Sequence, residues 1–313
     1  MRTTIRLMLL LAIAVNGFTQ SPKQICITVD DLPVTSQRTL SAAAKDSLTK
    51  SLLKHLTSHH VPAIGFVIGR PLLRHNQPDT QQTGLLRQWL NAGMELGNHT
   101  FAHKGYNHIP AAEYQQDVAG ADRVLRPLLK PYGQRLRYFR HPFLQRGNTA
   151  GKRDSLVAYL HDHQYLEAPV SVDNADYLFS AAYETALTRK DTALASSIGK
   201  TYVAYMLACV HYYEAQADSL FKRPIAHILL THANAVNAAC LGTILSKLKQ
   251  EGYRFISLDE ALKDPAYRSP DTFVNNGGIS WIHRWALTQG KRGSFFKGEP
   301  EVPQPILDLT NNK

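Results

Sequence analysis

The run Ile25-Cys26-Ile27-Thr28-Val29-Asp30-Asp31-Leu32-Pro33 decides how the rest of the chain is read. Residues 25–29 are dominated by β-branched side chains, which favour a strand. Two adjacent carboxylates follow at once, where barrels built from βα units place their catalytic groups, at the C-terminal ends of strands. An Asp-Asp before Pro also reads as an ordinary turn or helix cap. Neighbouring carboxylates repel each other, however, so a metal ion or an arginine is expected beside them.

Working outward, short apolar or β-branched runs alternate with longer helical patterns. Strands are predicted at 25–29, 63–68, 94–97, 136–139, 165–168, 225–231 and 253–256, and helices at 40–59, 83–92, 112–129, 152–163 and 238–250. That alternation predicts an α/β fold with a parallel sheet or barrel, and seven strands fit a barrel. Residues 176–221 are rich in Ala, Leu and Tyr without Pro or Gly clusters, which predicts two long helices inserted between the fifth and sixth strands. From 264 to 313, Pro265, Pro270, Gly277, Gly278, Gly293, Pro300, Pro303 and Pro305 predict an irregular tail. Trp281 and Trp285 are expected to pack that tail onto the domain rather than to stack on sugars. Tyr202, Tyr205, Tyr212 and Tyr213 are read as helix packing, and His55, His59 and His60 as surface residues. There is no internal repeat and no low-complexity tract.

Four further segments end strands and so share a rim with the Asp pair. His99-Thr100-Phe101-Ala102-His103 follows the third strand, and imidazoles four residues apart on a helical turn can hold one ion. Arg140-His141-Pro142-Phe143 follows the fourth and brings a guanidinium within reach of a carboxylate. Asp173-Asn174-Ala175-Asp176-Tyr177 lies beyond the fifth. Leu229-Leu230-Thr231-His232 delivers a histidine at the end of the sixth.

In this order, Thr28 to Asp31, His99 to His103, Arg140 to Phe143 and Leu229 to His232 resemble the motifs of the polysaccharide deacetylase family, also called the NodB-homology or carbohydrate esterase family 4 domain. The resemblance covers roughly residues 25–262 and leaves the insertion and the tail outside the common pattern. It implies a distorted (β/α)7-type barrel of the NodB-homology kind. Asp31, His99 and His103 would bind one divalent ion, usually zinc, with cobalt, iron or nickel also compatible with the donor set. Asp30 would be the general base that takes a proton from the attacking water, Arg140 would orient Asp30, and His232 would protonate the leaving group. A backbone N–H near Phe143 would stabilise the oxyanion. Either Asp173 or Asp176 would partner His232, and Asp173 is the favoured one. Val29 and Tyr177 depart from the aromatic and Trp residues common at those positions, which implies an altered acetyl pocket.

The implied function is removal of N- or O-linked acetyl groups from envelope or extracellular polysaccharide. A small-molecule amide or imide hydrolase on the same fold is the alternative, followed by a non-catalytic carbohydrate-binding protein. Met1-Arg2-Thr3-Thr4-Ile5-Arg6 and the apolar run 7–15 read as a signal peptide over 1–20, ahead of a domain over 21–263 and a tail over 264–313. The protein is thus expected to be exported, to the periplasm or the exterior, and no later stretch is read as a spanning helix. Cys26, Cys209 and Cys240 form no disulfide framework, although Cys209 and Cys240 could bridge. The net charge of +10 comes without a basic cluster interleaved with aromatics, which argues against nucleic acid as a partner.

Overall fold

The protein is described here from a computed structural model over residues 23–311, so the segment read as a signal peptide lies outside the described residues. The chain runs β1 (Gln24–Leu32), α1 (Ala42–Ser58), β2 (Ile64–Val67), the hairpin β3 (Leu73–Arg74) and β4 (Gln77–Pro78), α2 (Thr80–Asn91), β5 (Glu95–Asn98) and α3 (Ala111–Leu129). It continues through β6 (Tyr138–Phe139), α4 (Ala150–Asp162), β7 (Leu166–Glu167), α5 (Asp176–Thr188), α6 (Thr192–Phe221), β8 (Ala226–His232) and α7 (Ala235–Gln250). It closes with β9 (Arg254–Phe255), α8 (Leu258–Ala261), α9 (Trp281–Thr288) and α10 (Gln304–Asn311).

All seven expected strands are present in one parallel sheet. Its order is β7-β6-β5-β2-β1-β8, with β9 paired to the start of β1. The central strand β1 is buried on both faces and takes its register from β8, in which Thr28 pairs with Leu230 and Asp30 with His232. Two chemically important residues therefore lie side by side on neighbouring strands. The sheet curls, and after β7 the chain bridges back to β8. Val172 pairs with Leu229, the Ser171 and Val172 N–H groups donate to the Ile228 carbonyl at 3.1 and 3.0 Å, and Leu230 N–H donates to Val172 O at 3.1 Å. This bridge is what joins the two ends of the curled sheet.

The helices start where side chains satisfy their first N–H groups. Ser41, Asp79, Thr149, Asp191 and Asn234 cap α1, α2, α4, α6 and α7 with side-chain oxygens that accept from the backbone. Helices α5 and α6 fill the span read as an insertion. Helix α6 departs from one expectation, because its 30 residues are long and apolar enough to cross a membrane by length and composition. Half of its apolar stretch is buried, with Tyr202, Met206, Val210 and Tyr213 in the main core.

The tail is less irregular than its prolines suggested. Helix α9 forms because Ser280 caps it by accepting from His283 N–H at 3.2 Å. It buries Trp281 and Trp285, the latter edge-on to Phe221 and Tyr267 with ring centroids 5.6 and 5.5 Å apart. Cys26, Cys209 and Cys240 are free thiols, so Cys209 and Cys240 do not bridge.

Candidate active site

The ends of β1, β5, β6 and β8 converge on one cavity of about 580 Å³. At the end of β1 the backbone turns left-handed at Asp31, with φ 63°. That conformation is uncommon outside glycine, and aspartate is among the residues that adopt it most readily. Asp30 beside it is 2 % exposed. A buried carboxylate needs a charge-bearing partner, and fully buried Arg140 supplies it. Its Nη1 donates to both oxygens of Asp30 at 3.1 and 3.3 Å. Nη2 donates to Thr28 Oγ1 at 3.1 Å, Nε donates to Ala168 O at 2.7 Å, and the guanidinium lies 4.6 Å from the Phe66 ring centroid. Every nitrogen of the fork is engaged, so the guanidinium is held in one orientation.

Asp31, His99 and His103 offer ligand atoms that lie within 4.8 Å of one another. His99 Nε2 and His103 Nε2 stand 3.5 and 3.3 Å from Asp31 Oδ1, an oxygen that is buried without a hydrogen-bond partner. His99 Nδ1 pairs with Arg140 O at 2.8 Å, which directs the lone pair of Nε2 into the cluster. Burial, aided by His99, pushes the His103 pKa down to about 4, so its ring is neutral and able to ligate at physiological pH. Two imidazole nitrogens and an orphaned carboxylate oxygen fit a divalent cation with open positions.

The imidazoles do not meet by helical spacing, as the sequence suggested. Residues 99–103 form an irregular turn in which Thr100 and His103 are left-handed, at φ 63° and 55°. Side chains enforce it: Asn98 Oδ1 accepts from Thr100 N–H at 2.7 Å, Thr100 Oγ1 from His103 N–H at 3.0 Å, and the Asp117 carboxylate of α3 from Ala102 N–H at 3.1 Å. Phe143, also left-handed and 58 % exposed, packs edge-on to His103 with centroids 4.6 Å apart.

His232 stands at the end of β8, and here the expected partner changes. Its Nδ1 lies 2.6 Å from Oδ1 of Asp176, and its backbone N–H donates to Oδ2 of the same carboxylate at 2.9 Å. Asp173 does not fill that position; it lines the cavity and its Oδ1 accepts from Asn174 N–H at 2.8 Å. The reason is local. Asn174 anchors the turn by donating to Leu230 O at 2.7 Å and accepting from Asp176 N–H at 3.0 Å, which sets Asp176 on the first turn of α5 beneath His232. Burial alone would lower the His232 pKa, but the Asp176 carboxylate, with Asp31 and Asp30 beyond it, raises it to about 10. The ring is a proton donor at neutral pH. Burial raises Asp173 to about 6, with Glu299 adding to the effect.

Several supporting residues escaped the sequence reading. Asn237 Nδ2 donates to Asp176 Oδ2 at 2.6 Å, and Tyr202 of α6 donates to Asn237 Oδ1 at 2.5 Å. Fully buried Asp176 thus has both oxygens satisfied. Glu184 of α5 accepts from Ser36 Oγ and Gln37 N–H at 2.9 and 3.0 Å, tying the loop after β1 to the insertion. Asn234 and Asn237 could have been noticed as polar residues opening an otherwise apolar helix; nothing local marked Tyr202 or Glu184.

The curled parallel sheet is an α/β fold of the NodB type, and strand-end carboxylate, imidazole and guanidinium groups converge at its rim. Residues 18–160 match the family model for polysaccharide deacetylases. The chitooligosaccharide deacetylase of Bradyrhizobium sp. (strain ANU 289) is 37% identical over 78 residues, which is 25% of this chain and 32% of that protein. The chain thus spans about a third of the length of that curated relative. Among solved structures, a CE4 family pseudoenzyme from Bacillus anthracis is 19% identical with a TM-score of 0.51, covering 77% of this chain and 66% of its own. A mutant of that pseudoenzyme with restored enzymatic activity is 21% identical with a TM-score of 0.51, at 77% and 68% coverage. A peptidoglycan N-acetylglucosamine deacetylase is 16% identical with a TM-score of 0.50, at 77% and 88% coverage. At these identities the structural likeness shows the fold alone.

Proposed function

We propose that the protein is a metal-dependent hydrolase that removes N- or O-linked acetyl groups from carbohydrate. The observation that carries this reading is the pairing of Asp30 with His232 across β1 and β8, one braced by Arg140 and the other charged by Asp176, in the cavity that the Asp31/His99/His103 cluster also lines. A base, an acid and a ligand set within one cavity are the parts that acyl hydrolysis needs.

Asp31, His99 and His103 would hold a divalent ion, zinc being the first choice for this donor set, which would supply Lewis acidity to the site. Asp30 takes the proton of the attacking water, and Arg140 holds the accepting oxygen in place. As the carbon–oxygen bond forms, a backbone N–H in the Phe143 turn stabilises the oxyanion. Asp176 occupies Nδ1 of His232, so Nε2 is the position that hands a proton to the departing nitrogen or oxygen when the acyl bond breaks. Acetate and the free amine or hydroxyl are the products.

Acetate release from a panel of acetylated glycans, with and without chelator and beside Asp30→Asn, tests the reading. Release that chelator and the variant both abolish is the expected result; no release from any glycan by metal-loaded protein overturns it. The charged start and short apolar run of the N-terminus support export to the periplasm or beyond. Recovery of protein beginning near residue 21 from that fraction is the matching test.

A further inference from the structure

The cavity wall is not built by the strand ends alone. Tyr177 and Tyr205 come from α5 and α6, and Gly278, Glu299 and Pro300 come from the tail. The tail is strapped to α6 by side chains. Tyr212 donates to Phe296 O at 3.1 Å, Gln216 to Phe295 O at 2.6 Å, and buried Tyr213 to Glu299 Oε1 at 2.6 Å. Glu299 is held at the cavity by one oxygen, and among the described residues its second oxygen accepts no hydrogen bond. On the same wall stands Asp173, with one carboxylate oxygen engaged by Asn174 N–H. Phe143 and Tyr177, which also line the cavity, are the large aromatics left exposed among the described residues, at 58 % and 57 %.

A site open at both ends would admit the interior of a long polymer. Here two segments outside the family's common pattern contribute wall to a space of about 580 Å³, in the range of about 300–1,000 Å³ typical of sites that enclose a small ligand. One or two sugar rings fill such a volume. Sugar hydroxyls need acceptors and sugar C–H faces need apolar platforms, and this wall offers both in carboxylates and exposed rings.

We propose, on the reading of the site as a carbohydrate deacetylase, that the cavity accepts a free or chain-terminal acetylated sugar, with Glu299 and Asp173 accepting hydrogen bonds from its hydroxyl groups. The strapped tail, which lines the cavity through Gly278, Glu299 and Pro300, is the wall expected to exclude an interior unit of a long chain.

The test uses metal-loaded protein on end-labelled N-acetylglucosamine oligomers of one to six residues and on a soluble acetylated polymer, with the released positions mapped by mass spectrometry. The expected result is that kcat/KM levels off after about two residues, the cavity's capacity, and that the first acetate leaves a terminal residue. Glu299→Gln is expected to raise KM on the short substrates about tenfold, the scale of one hydrogen bond to a charged group, with a smaller change in kcat. Tyr213→Phe combined with Tyr212→Phe and Gln216→Ala, which together remove the three side-chain ties of the strap, is expected to widen acceptance toward longer oligomers. Internal release, or kcat/KM still rising at six residues, overturns the proposal; an unchanged KM in Glu299→Gln removes the role of that residue. Absence of acetate from every carbohydrate overturns the deacetylase reading itself, a result distinct from turnover without end preference.

Discussion

Asp176 grips His232 twice, through Nδ1 at 2.6 Å and through the backbone N–H at 2.9 Å, so one carboxylate fixes both the ring and the strand end that carries it. The arrangement charges the ring as well as orienting it. A folded-state pKa near 10 against an ordinary 6.5 favours the protonated form. The stability it contributes is therefore fully present below about pH 6.5 and is lost as pH rises through about 10. Asp176→Asn is expected to bring the His232 pKa down toward its ordinary value and to move the alkaline limb of the kcat profile with it. NMR titration of the ring and a pH series of initial rates check this; an alkaline limb unmoved in the variant would remove His232 as the acid.

Tyr202 acts on the same carboxylate from one step further out. Its hydroxyl fixes the Asn237 amide so that Nδ2 points to Asp176. Tyr202→Phe is expected to cost about 1 kcal/mol of stability, the net value of one hydrogen bond, and to lower the His232 pKa without changing KM. Denaturant unfolding and the same pH series separate the two effects.

Arg140 and Asp30 are both buried, so removing one strands the other. Arg140→Met is expected to destabilise by about 3–5 kcal/mol. The double variant with Asp30→Asn is expected to recover part of that loss while remaining inactive. Thermal unfolding of the four proteins measures the coupling.

Metal uptake can be read without turnover. Equilibrium dialysis against cobalt, followed by its visible absorption, is expected to give one ion per chain. Asp31→Ala, His99→Ala and His103→Ala each remove one of three donors and are expected to abolish stoichiometric binding. Binding unaffected by all three would place the ion elsewhere.

Gly278 of the tail lies under the Phe143 turn, where an added Cβ would come within 1.9 Å of Phe143 O and 2.8 Å of Leu144 Cβ. Gly278→Ala is expected to displace that turn from the cavity, lowering kcat more than stability, because the turn is at the rim while the core beneath is intact. A Gly-to-Ala change without close contact has no such effect, and Gly84→Ala, with nothing within 4 Å, serves as the control. Rates and melting temperatures of the two variants decide it.

The order and period of the secondary structure were legible in the sequence, because β-branched runs, apolar helical faces and capping residues act over a few neighbouring positions. The groups at the ends of β1, β5, β6 and β8 were legible for the same reason: a strand that ends in a polar residue inside a buried sheet delivers that residue to the rim. Their local conformation was not. The 99–103 segment turns left-handed because Asn98, Thr100 and Asp117 capture its N–H groups, and Asp117 lies 15 residues away on another element. The choice between Asp173 and Asp176 was likewise outside the sequence's reach, since it depends on where Asn174 meets Leu230 across the sheet closure. The same holds for the wall of the cavity. Tyr213 and Glu299 are 86 positions apart and meet only because α6 and the tail pack together. The sequence by itself determined the parallel sheet and which charged residues reach its rim, through short-range propensity and pattern. The tertiary structure alone decided which carboxylate charges His232 and how much room the site leaves for a substrate, because both depend on contacts between distant segments.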